Sequence, residues 1–256
     1  MSSPSTTPKA TSPSRGTAPS SSKEGFVRRL FDAITPRYDL FNRLASLGHD
    51  RPWRRRTIRS LHLTPGARVL DLASGTGDLA ELAALALLPL GQVTACDLSH
   101  PMLRAASRRL RRHPAAGWHT AFAQARAEQL PFAAGSFHAA AIGFALRNVS
   151  DLDLTFRELH RVLAPGGRLA LLEFGRPAHP LLRFGHRLWL SLAVPLIGLL
   201  TTGCLWPFLY LRRSILTFLP PAEVVAKLEQ AGFADAAAAP LTGGVVVLYT
   251  ARRSDY

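Results

Sequence analysis

The sequence V-L-D-L-A-S-G-T-G-D-L-A, from Val69 to Ala80, decides how the rest of the chain can fold. Four residues of strand character lead into the small-residue turn 73–77, and a helical apolar spacing begins at Leu79. A buried strand that ends in a glycine turn at a helix N-terminus brings backbone close to a ligand. Such turns bind nucleotide-like cofactors at the carboxyl edge of an open α/β sheet. We therefore expect the remaining elements to complete a cofactor pocket or to bring a substrate to it.

Length and composition indicate one domain of ordinary size with a full hydrophobic core. The chain has 256 residues, of which 47% are hydrophobic and 19% charged, and a formal net charge of +14. This excess of positive charge predicts attraction to an anionic polymer or to an anionic membrane surface. Cys96 and Cys204 are far apart and lack CxxC spacing, so we predict neither a disulfide framework nor a metal site, and a cytoplasmic location.

The N-terminal region divides into two parts. Residues 1–23 are mainly Ser, Thr, Pro and small residues, which predicts a disordered leader. A transit peptide is the alternative, because the segment is rich in serine and poor in acids. Residues 24–60 carry apolar side chains at helical spacing, which predicts amphipathic helices. These helices either pack on the main domain with solvated arginines or form a lid that carries Tyr38 over the cofactor.

Strands and helices alternate through most of the chain. Strands are expected at 67–72, 92–96, 121–125, 139–143 and 168–174, followed by a short strand at 236–239 and a long one at 243–251. Alternation of this kind is typical of a doubly wound, mostly parallel sheet, and the last two strands predict an antiparallel terminal hairpin. Residues 24–256 are therefore predicted to form a single α/β domain with a seven-stranded sheet.

An apolar helical insertion is predicted between residues 177 and 216. From Leu188 to Leu211 the chain carries no charge, and arginines flank this run. The length and the flanks satisfy the test for a membrane-spanning helix. Prolines and glycines interrupt the run, however, and a span would put two halves of one sheet on opposite membrane faces. We expect instead a hairpin of apolar helices that forms a lid, a lipid-facing pocket or an interfacial anchor.

The charges around the glycine turn predict which cofactor binds. Gly75 and Gly77 nearly match a dinucleotide fingerprint, so an NAD(P) enzyme is the alternative. The third glycine is absent, and Asp78 stands where a pyrophosphate would meet the helix N-terminus. Asp71 and Asp97 add negative charge, which suits the phosphate-free sulfonium cofactor S-adenosylmethionine. Asp97 follows the second predicted strand, where a carboxylate can accept hydrogen bonds from both ribose hydroxyls of the cofactor. The alternative interpretation is that Asp97 caps the next helix.

Arg147 and Asn148 follow the predicted strand 139–143. The carboxyl ends of parallel strands face the ligand crevice, so both side chains are placed to reach it. A surface arginine and a turn asparagine are the alternative interpretation.

Several blocks of the sequence resemble the ubiquinone/menaquinone-biosynthesis C-methyltransferases. The blocks are F-D-x-I-x-P-R-Y-D-x-x-N at 31–42, V-L-D-L-A-S-G-T-G-D-L at 69–79, A-E-x-L-P-F at 127–132, F-A-L-R-N-V at 144–149, R-V-L-A-P-G-G-R-L-A-L-L-E-F at 161–174 and L-T-G-G-V-V at 241–246. The resemblance covers roughly residues 24–253. It implies a class I S-adenosylmethionine-dependent methyltransferase that transfers a methyl group to a ring carbon of a prenylated quinol.

The resemblance also implies roles for individual residues. Thr76 matches a loop threonine at the cofactor, and Asp97 matches the ribose-binding acid. Arg147 and Asn148 match a pair near the substrate ring, and Tyr38 matches the lid tyrosine. With Asp71, Gly75 and Gly77, these residues form most of the predicted site.

Two positions in the predicted cofactor site depart from the family pattern. Arg126 precedes Ala127 where the family has an Asn-Ala or Asp-Ala pair beside the adenine, and Gly143 stands where some members have a serine. Contacts from Arg126 and Gly143 would therefore use backbone atoms. The run from Cys204 to Phe208 is also apolar where a polar run is expected.

Methyl transfer to a ring carbon requires an in-line sulfonium, loss of a quinol proton and stabilisation of the resulting oxyanion. Arg147 has the charge and the donors for the oxyanion. The general base is left open among His49, Asp50, Asp39 and a water molecule held by Arg147 and Asn148.

A membrane-dissolved substrate predicts a protein peripheral to the inner face of the cytoplasmic membrane. Basic helices at 51–59 and 104–112 would bind anionic lipid, while residues 188–211 would meet the prenyl tail. The expected reaction converts demethylmenaquinol to menaquinol, and C-methylation of a 2-methoxy-6-polyprenyl-benzoquinol is the alternative. An RNA methyltransferase and an inactive membrane-associated subunit are less favoured, and a homodimer is left open.

Overall fold

The computed structural model of the protein describes residues 22–113 and 119–254. Residues 1–21 of the predicted leader lie outside the described residues. Its last two residues belong to the first helix, which begins at Ser22, and the Lys23 ammonium donates to the Val149 carbonyl at 2.6 Å. The helical region therefore begins two residues earlier than predicted.

Helices and strands alternate along the chain in the predicted order. The helices are α1 (Ser22–Ile34), α2 (Tyr38–Ala45), α3 (Asp50–Ser60), α4 (Asp78–Ala86), α5 (His100–Leu110), α6 (Leu152–Val162), α7 (Pro180–Leu188), α8 (Val194–Thr202), α9 (Trp206–Thr217) and α10 (Pro221–Gln230). The strands are β1 (Arg68–Leu72), β2 (Gln92–Asp97), β3 (Thr120–Gln124), β4 (Phe137–Gly143), β5 (Leu163–Phe174), β6 (Phe233–Leu241) and β7 (Val246–Arg253).

The strands form one mixed sheet in the order β3-β2-β1-β4-β5-β7-β6. Strands β1 to β5 pair in parallel, whereas β7 pairs antiparallel with both β5 and β6. The predicted doubly wound sheet with a terminal antiparallel hairpin is thereby confirmed. Strand β5 begins five residues before its predicted start, because Leu163 already pairs with Phe137 ahead of an irregularity in the β4–β5 register.

Both faces of the sheet are covered by apolar side chains, because successive residues of a strand point to opposite faces. Val69 belongs to a buried cluster that includes residues of α3 and α4. Leu70 and Leu72 belong to a second cluster that includes residues of α6 and α10. The glycine turn after β1 therefore emerges from the centre of the sheet, beside the carboxyl ends of β2 and β4.

The helical region 22–60, called the lid below, packs with the apolar insertion. A third buried cluster joins Leu30 and Phe41 of the lid to Leu190 and Phe208 of the insertion. A π-helical turn, Trp189–Ala193, connects α7 to α8. Among the described residues, one continuous helical stretch, Pro180–Thr202, is long and apolar enough to cross a membrane by length and composition, and 22% of its most apolar window is buried. Most of that window is therefore available to something outside the described fold.

Candidate active site

Two glycines of the turn after β1 serve different purposes. Gly75 and Gly77 have φ angles of 54° and 84°, in the left-handed region that favours glycine. An added Cβ at Gly77 would lie 3.1 Å from the Ala106 Cβ, so this glycine allows α4 to pack closely on α5. An added Cβ at Gly75 would have Tyr38 Cε1, at 3.9 Å, as its nearest contact. Gly75 therefore leaves open space in front of the turn.

A cleft of about 800 Å³, including its mouth, occupies that space. Five of the eight residues predicted to bind the cofactor line it, namely Gly75, Asp97, Arg126, Ala127 and Gly143. The other three, Asp71, Thr76 and Gly77, lie outside its lining.

Asp97 ends β2 with its carboxylate at this cleft. Its Oδ2 accepts the Gly75 N–H and its Oδ1 accepts the Ser99 N–H, each at 2.8 Å. Helix α5 is capped by Ser99, whose Oγ accepts the Met102 N–H at 3.3 Å, and not by Asp97. Burial raises the pKa of Asp97 above its ordinary value, while the backbone donors oppose that rise. Each carboxylate oxygen keeps a second lone pair, so the group can still accept from two vicinal hydroxyls.

The residues of the cleft fit S-adenosylmethionine. Leu98, Met102 and Ala125 give it an apolar wall next to Asp97, which suits a flat base joined to a ribose. Glu24 and Glu128 also line the cleft, where Arg126 lies 3.0 Å from the first carboxylate and 3.8 Å from the second.

Asp71 lies beneath the turn and supports it. The residue is 1% exposed, and its Oδ2 accepts the Ala80 N–H at 2.8 Å. Within the described residues its Oδ1 has no hydrogen-bond partner, and burial raises the pKa of Asp71 to about 8. The carboxyl group therefore holds the first turn of α4 in place behind the cofactor cleft.

Asp78 is paired and does not present a free charge to the cleft. Its carboxylate lies 3.1 Å from Arg54 Nη2 and 2.5 Å from Arg109 Nη1. Asp78 therefore adds little net negative charge at the helix N-terminus, because two guanidinium groups neutralise that carboxylate. Arg54 is 6% exposed, so the predicted basic surface at 51–59 lacks its central arginine.

Hydrogen bonds join the lid to the glycine turn and to the end of β2. Thr76 Oγ1 donates to Asp39 Oδ1 at 2.6 Å. Ser99 Oγ donates to Asp32 Oδ1 at 2.5 Å. Thr76 therefore connects the turn to the lid in this structure, and its predicted contact with the cofactor stays a prediction.

The two departures from the family pattern have structural consequences at opposite sides of the cleft. Arg126 Nη2 lies 3.0 Å from Glu24 Oε2, which ties the first helix of the lid to the segment after β3. At Gly143 an added Cβ would lie 2.9 Å from Leu79 Cδ1, so a serine there would require Leu79 to shift.

A second cavity, called the chamber below, adjoins the cleft and encloses about 1410 Å³, including its mouth. Its walls are mainly apolar side chains of the lid and the insertion, including Leu30, Ile34, Phe41, Trp189, Leu190, Phe208 and Ile215. The cleft and the chamber share the residues Phe31, Tyr38, Phe144 and Asn148. A ring held in the chamber can therefore approach a group held in the cleft.

Arg147 lines the chamber with its guanidinium fixed from behind. Its Nη1 donates to Glu173 Oε1 and to the Phe144 carbonyl, both at 2.6 Å. Glu173 Oε2 accepts the Arg147 N–H at 3.2 Å, and the guanidinium carbon lies 5.2 Å from the centre of the Phe174 ring. Within the described residues the buried Nε of Arg147 has no hydrogen-bond partner.

Tyr38, Asn148 and His49 also line the chamber, in different settings. Burial raises the pKa of Tyr38, so its phenol stays neutral. Asn148 is buried, and its Oδ1 accepts from the Tyr210 hydroxyl at 3.2 Å. His49 is exposed, and its Nδ1 lies 3.1 Å from the Ser46 carbonyl oxygen.

Three residues of this region escaped the sequence analysis. Arg54 was counted with the exposed arginines of its helix, and no role was assigned to Glu173 or Tyr210. A signal existed for Glu173, because it is the one charge in the apolar run L-A-L-L-E-F at 169–174. Arg54 and Tyr210 gave no such signal, because their partners come from distant segments of the chain.

Comparison with known proteins agrees with the fold and with the family that the sequence resembles. The ubiE/COQ5 methyltransferase family matches residues 19–253. The ubiquinone/menaquinone biosynthesis C-methyltransferase UbiE of Syntrophotalea carbinolica is 45% identical over 229 residues, covering 89% of this chain and 94% of that protein. UbiE of Hahella chejuensis is 39% identical over 232 residues, covering 91% of this chain and 93% of that protein. A SAM-dependent methyltransferase from Aquifex aeolicus shares the fold, with a TM-score of 0.59 and 16% identity over 90% of this chain and 98% of that one.

The class I methyltransferase fold and the cofactor S-adenosylmethionine, both predicted from the sequence, are thereby confirmed. The chain belongs to the ubiE/COQ5 methyltransferase family, and it is an S-adenosylmethionine-dependent C-methyltransferase.

Proposed function

We propose that the enzyme methylates a ring carbon of a prenylated quinol and converts demethylmenaquinol to menaquinol. The observation that carries this proposal is the wall shared by the cleft and the chamber. Phe144 and Asn148 border both cavities, so a cofactor and an apolar ring substrate meet there. The names of the relatives cover both menaquinone and ubiquinone biosynthesis, so a 2-methoxy-6-polyprenyl-benzoquinol is the alternative substrate.

The residues of the site would bind and orient both reactants. When bound, S-adenosylmethionine supplies an electrophilic methyl group. Asp97 and the backbone at Gly75 hold the cofactor in the cleft, which fixes the distance to the ring. Arg147 lines the chamber, and its guanidinium donates to the quinol oxygen, where negative charge develops as the hydroxyl loses its proton. Tyr38 and Asn148 border the ring and limit its orientation.

The geometry favours water as the general base. Asp39 accepts from Thr76 Oγ1, and Asp50 pairs with Arg54 at 3.0 Å, so both carboxylates are already engaged. His49 is exposed, with its ring 5.9 Å from that of Trp53 at the edge of the chamber. A water molecule held by Arg147 and Asn148 would lie beside the quinol hydroxyl.

Exposed apolar residues around the mouth of the chamber support a peripheral position on the inner face of the cytoplasmic membrane. Leu47 and Leu182 are exposed and also line the chamber, so its mouth opens among apolar side chains. Leu181 and Leu200 of the insertion are 74% and 75% exposed. A prenyl tail could pass from the lipid into the chamber across this surface, while exposed arginines of α3 attract anionic headgroups.

One assay tests the proposed function. The purified protein is incubated with S-adenosylmethionine labelled on its methyl group and with demethylmenaquinol, the benzoquinol or bulk RNA. We expect label in menaquinol, whereas label in the benzoquinol alone would reassign the substrate and label in RNA alone would overturn the proposal. The variant Asp97→Ala should abolish cofactor binding, and normal affinity would refute the ribose assignment.

A further inference from the structure

A polar groove lies behind the wall that Arg147 and Tyr210 form on one side of the chamber. Arg147 and Tyr210 line both spaces. The groove is bordered by Lys23, Asp151, Asp153, Arg213, Thr217 and Lys227. Four of these six residues, Lys23, Asp151, Arg213 and Thr217, are exposed, so the groove opens to solvent. The chamber therefore has an apolar mouth on one side and an aqueous boundary on the other.

The proposed function, on which this inference rests, creates a need for such a boundary. A bond forms between the ring carbon and the methyl carbon, and the sulfur–methyl bond breaks with its electron pair left on sulfur. The ring carbon loses its hydrogen as a proton, and the electrons of that C–H bond restore the aromatic ring. Each turnover therefore releases one proton into a chamber whose walls are mainly apolar.

We infer that the Tyr210 hydroxyl passes this proton from the chamber to solvent in the groove. The hydroxyl turns from Asn148 to the groove and gives its proton to water there, and the phenol oxygen accepts a proton from the chamber, so the residue is unchanged after each turnover. The hydroxyl reaches the substrate wall, because it donates to Asn148 Oδ1 at 3.2 Å. The exposed leucines at the mouth of the chamber offer no group that could take up a proton.

The surroundings of Tyr210 suit a neutral relay. Its ring packs edge-on against the ring of Phe26 with centroids 5.1 Å apart, which fixes the position of the hydroxyl. Burial raises the pKa of Tyr210 and the charge of Arg147 opposes the rise, so the hydroxyl keeps its proton at neutral pH. Across the groove, Lys227 pairs with Asp153 at 2.8 Å.

The test compares Tyr210→Phe with Thr217→Val in the full-length protein. The first variant keeps the ring contact with Phe26 and removes only the hydroxyl. The second removes a groove hydroxyl that donates to its own helix, to the Arg213 carbonyl at 3.0 Å. We expect Tyr210→Phe to lower kcat about 10²-fold with both KM values unchanged, as for loss of a proton-transfer group. Imidazole in the buffer should restore much of this rate, and Thr217→Val should behave like the wild type.

The other outcomes overturn either the relay or the proposed function. If the wild-type protein methylates the quinol and Tyr210→Phe has the same kcat, the relay is overturned but the proposed function is not. A lower kcat without rescue by imidazole also overturns the relay, because the hydroxyl would then only position Asn148. A wild-type protein that methylates no quinol overturns the proposed function, and the relay with it.

Discussion

Arg147 and Glu173 form an ion pair at 2.6 Å in which the carboxylate is fully buried and the guanidinium nearly so. Glu173 comes from the end of β5, and Arg147 follows β4, the neighbouring strand. Removing one member of such a pair leaves a buried charge without compensation, which costs about 3–5 kcal/mol. The pair therefore has a structural role that can be separated from the role proposed for Arg147 in catalysis.

The first prediction separates these roles with Glu173→Gln and the double variant Arg147→Gln/Glu173→Gln. The single variant should lose about 3–5 kcal/mol of unfolding free energy, because the buried guanidinium loses its counter-charge. The double variant should regain part of that stability but stay inactive, since the donor to the quinol oxygen is gone. Urea unfolding and methyl-transfer assays measure both quantities. A Glu173→Gln protein as stable as the wild type would contradict the prediction.

A second prediction concerns Thr76, whose hydroxyl donates to Asp39 of the lid. Thr76→Val should weaken S-adenosylmethionine binding by about 1 kcal/mol, or roughly fivefold in Kd, because the lid loses a contact with the turn. Calorimetric titration gives this number. Ser136→Ala is the matched control, because it also removes a hydroxyl bond, at 2.7 Å to the Ala133 carbonyl in the turn before β4. Equal affinities in the two variants would show that the lid contact does not affect the cofactor.

The third prediction follows from the raised pKa of Asp71, about 8 against an ordinary 3.8. Between these values the folded protein holds a proton that the unfolded chain has lost, so the unfolding free energy should fall as pH rises. Asp71→Asn keeps an oxygen to accept the Ala80 N–H and cannot ionise, so it should flatten this dependence. Denaturant midpoints from about pH 5 to about pH 9 test the slope.

The exposed carboxylate of Asp235 provides the comparison for this experiment. Asp235→Asn should keep the pH dependence of the wild type. If Asp71→Asn also keeps it, then Asp71 is not the group responsible.

The fourth prediction tests the apolar surface of the insertion. The double variant Leu181→Glu/Leu200→Glu should bind anionic vesicles at least about tenfold more weakly, because two leucines that would enter lipid become charged. Leu90→Glu is the control, because Leu90 is 61% exposed and precedes β2, at the opposite edge of the sheet from the site. Vesicle flotation at low salt measures binding. If Leu90→Glu lost as much vesicle binding as the double variant, the loss would come from the added negative charge and not from the apolar surface of the insertion.

Much of the fold could be predicted because its signals are local. The glycine turn, the apolar residues of β1 and the long final strand each lie within about ten residues of sequence. Asp97 could be placed for the same reason, since it ends an apolar strand that pairs with β1.

The pairings within the site could not be predicted, because they join segments that only the tertiary fold brings together. Arg54 resembles its exposed neighbours on α3, and its partner Asp78 lies 3.1 Å away on another helix. Residues of one helical face share a spacing whether they meet solvent or a carboxylate. Tyr210 likewise reaches Asn148 across 62 positions of sequence.

The cleft and the chamber meet at one wall but open in different places. Arg28 and Ser150 are exposed at the cleft, whereas Leu47 and Leu182 are exposed at the chamber. Under the proposed function, a spent nucleoside would leave into water while the methylated quinol returned to the lipid, and neither exit would block the other. We expect an enzyme built in this way to work processively on one vesicle, exchanging its water-soluble reactant many times before it leaves the membrane.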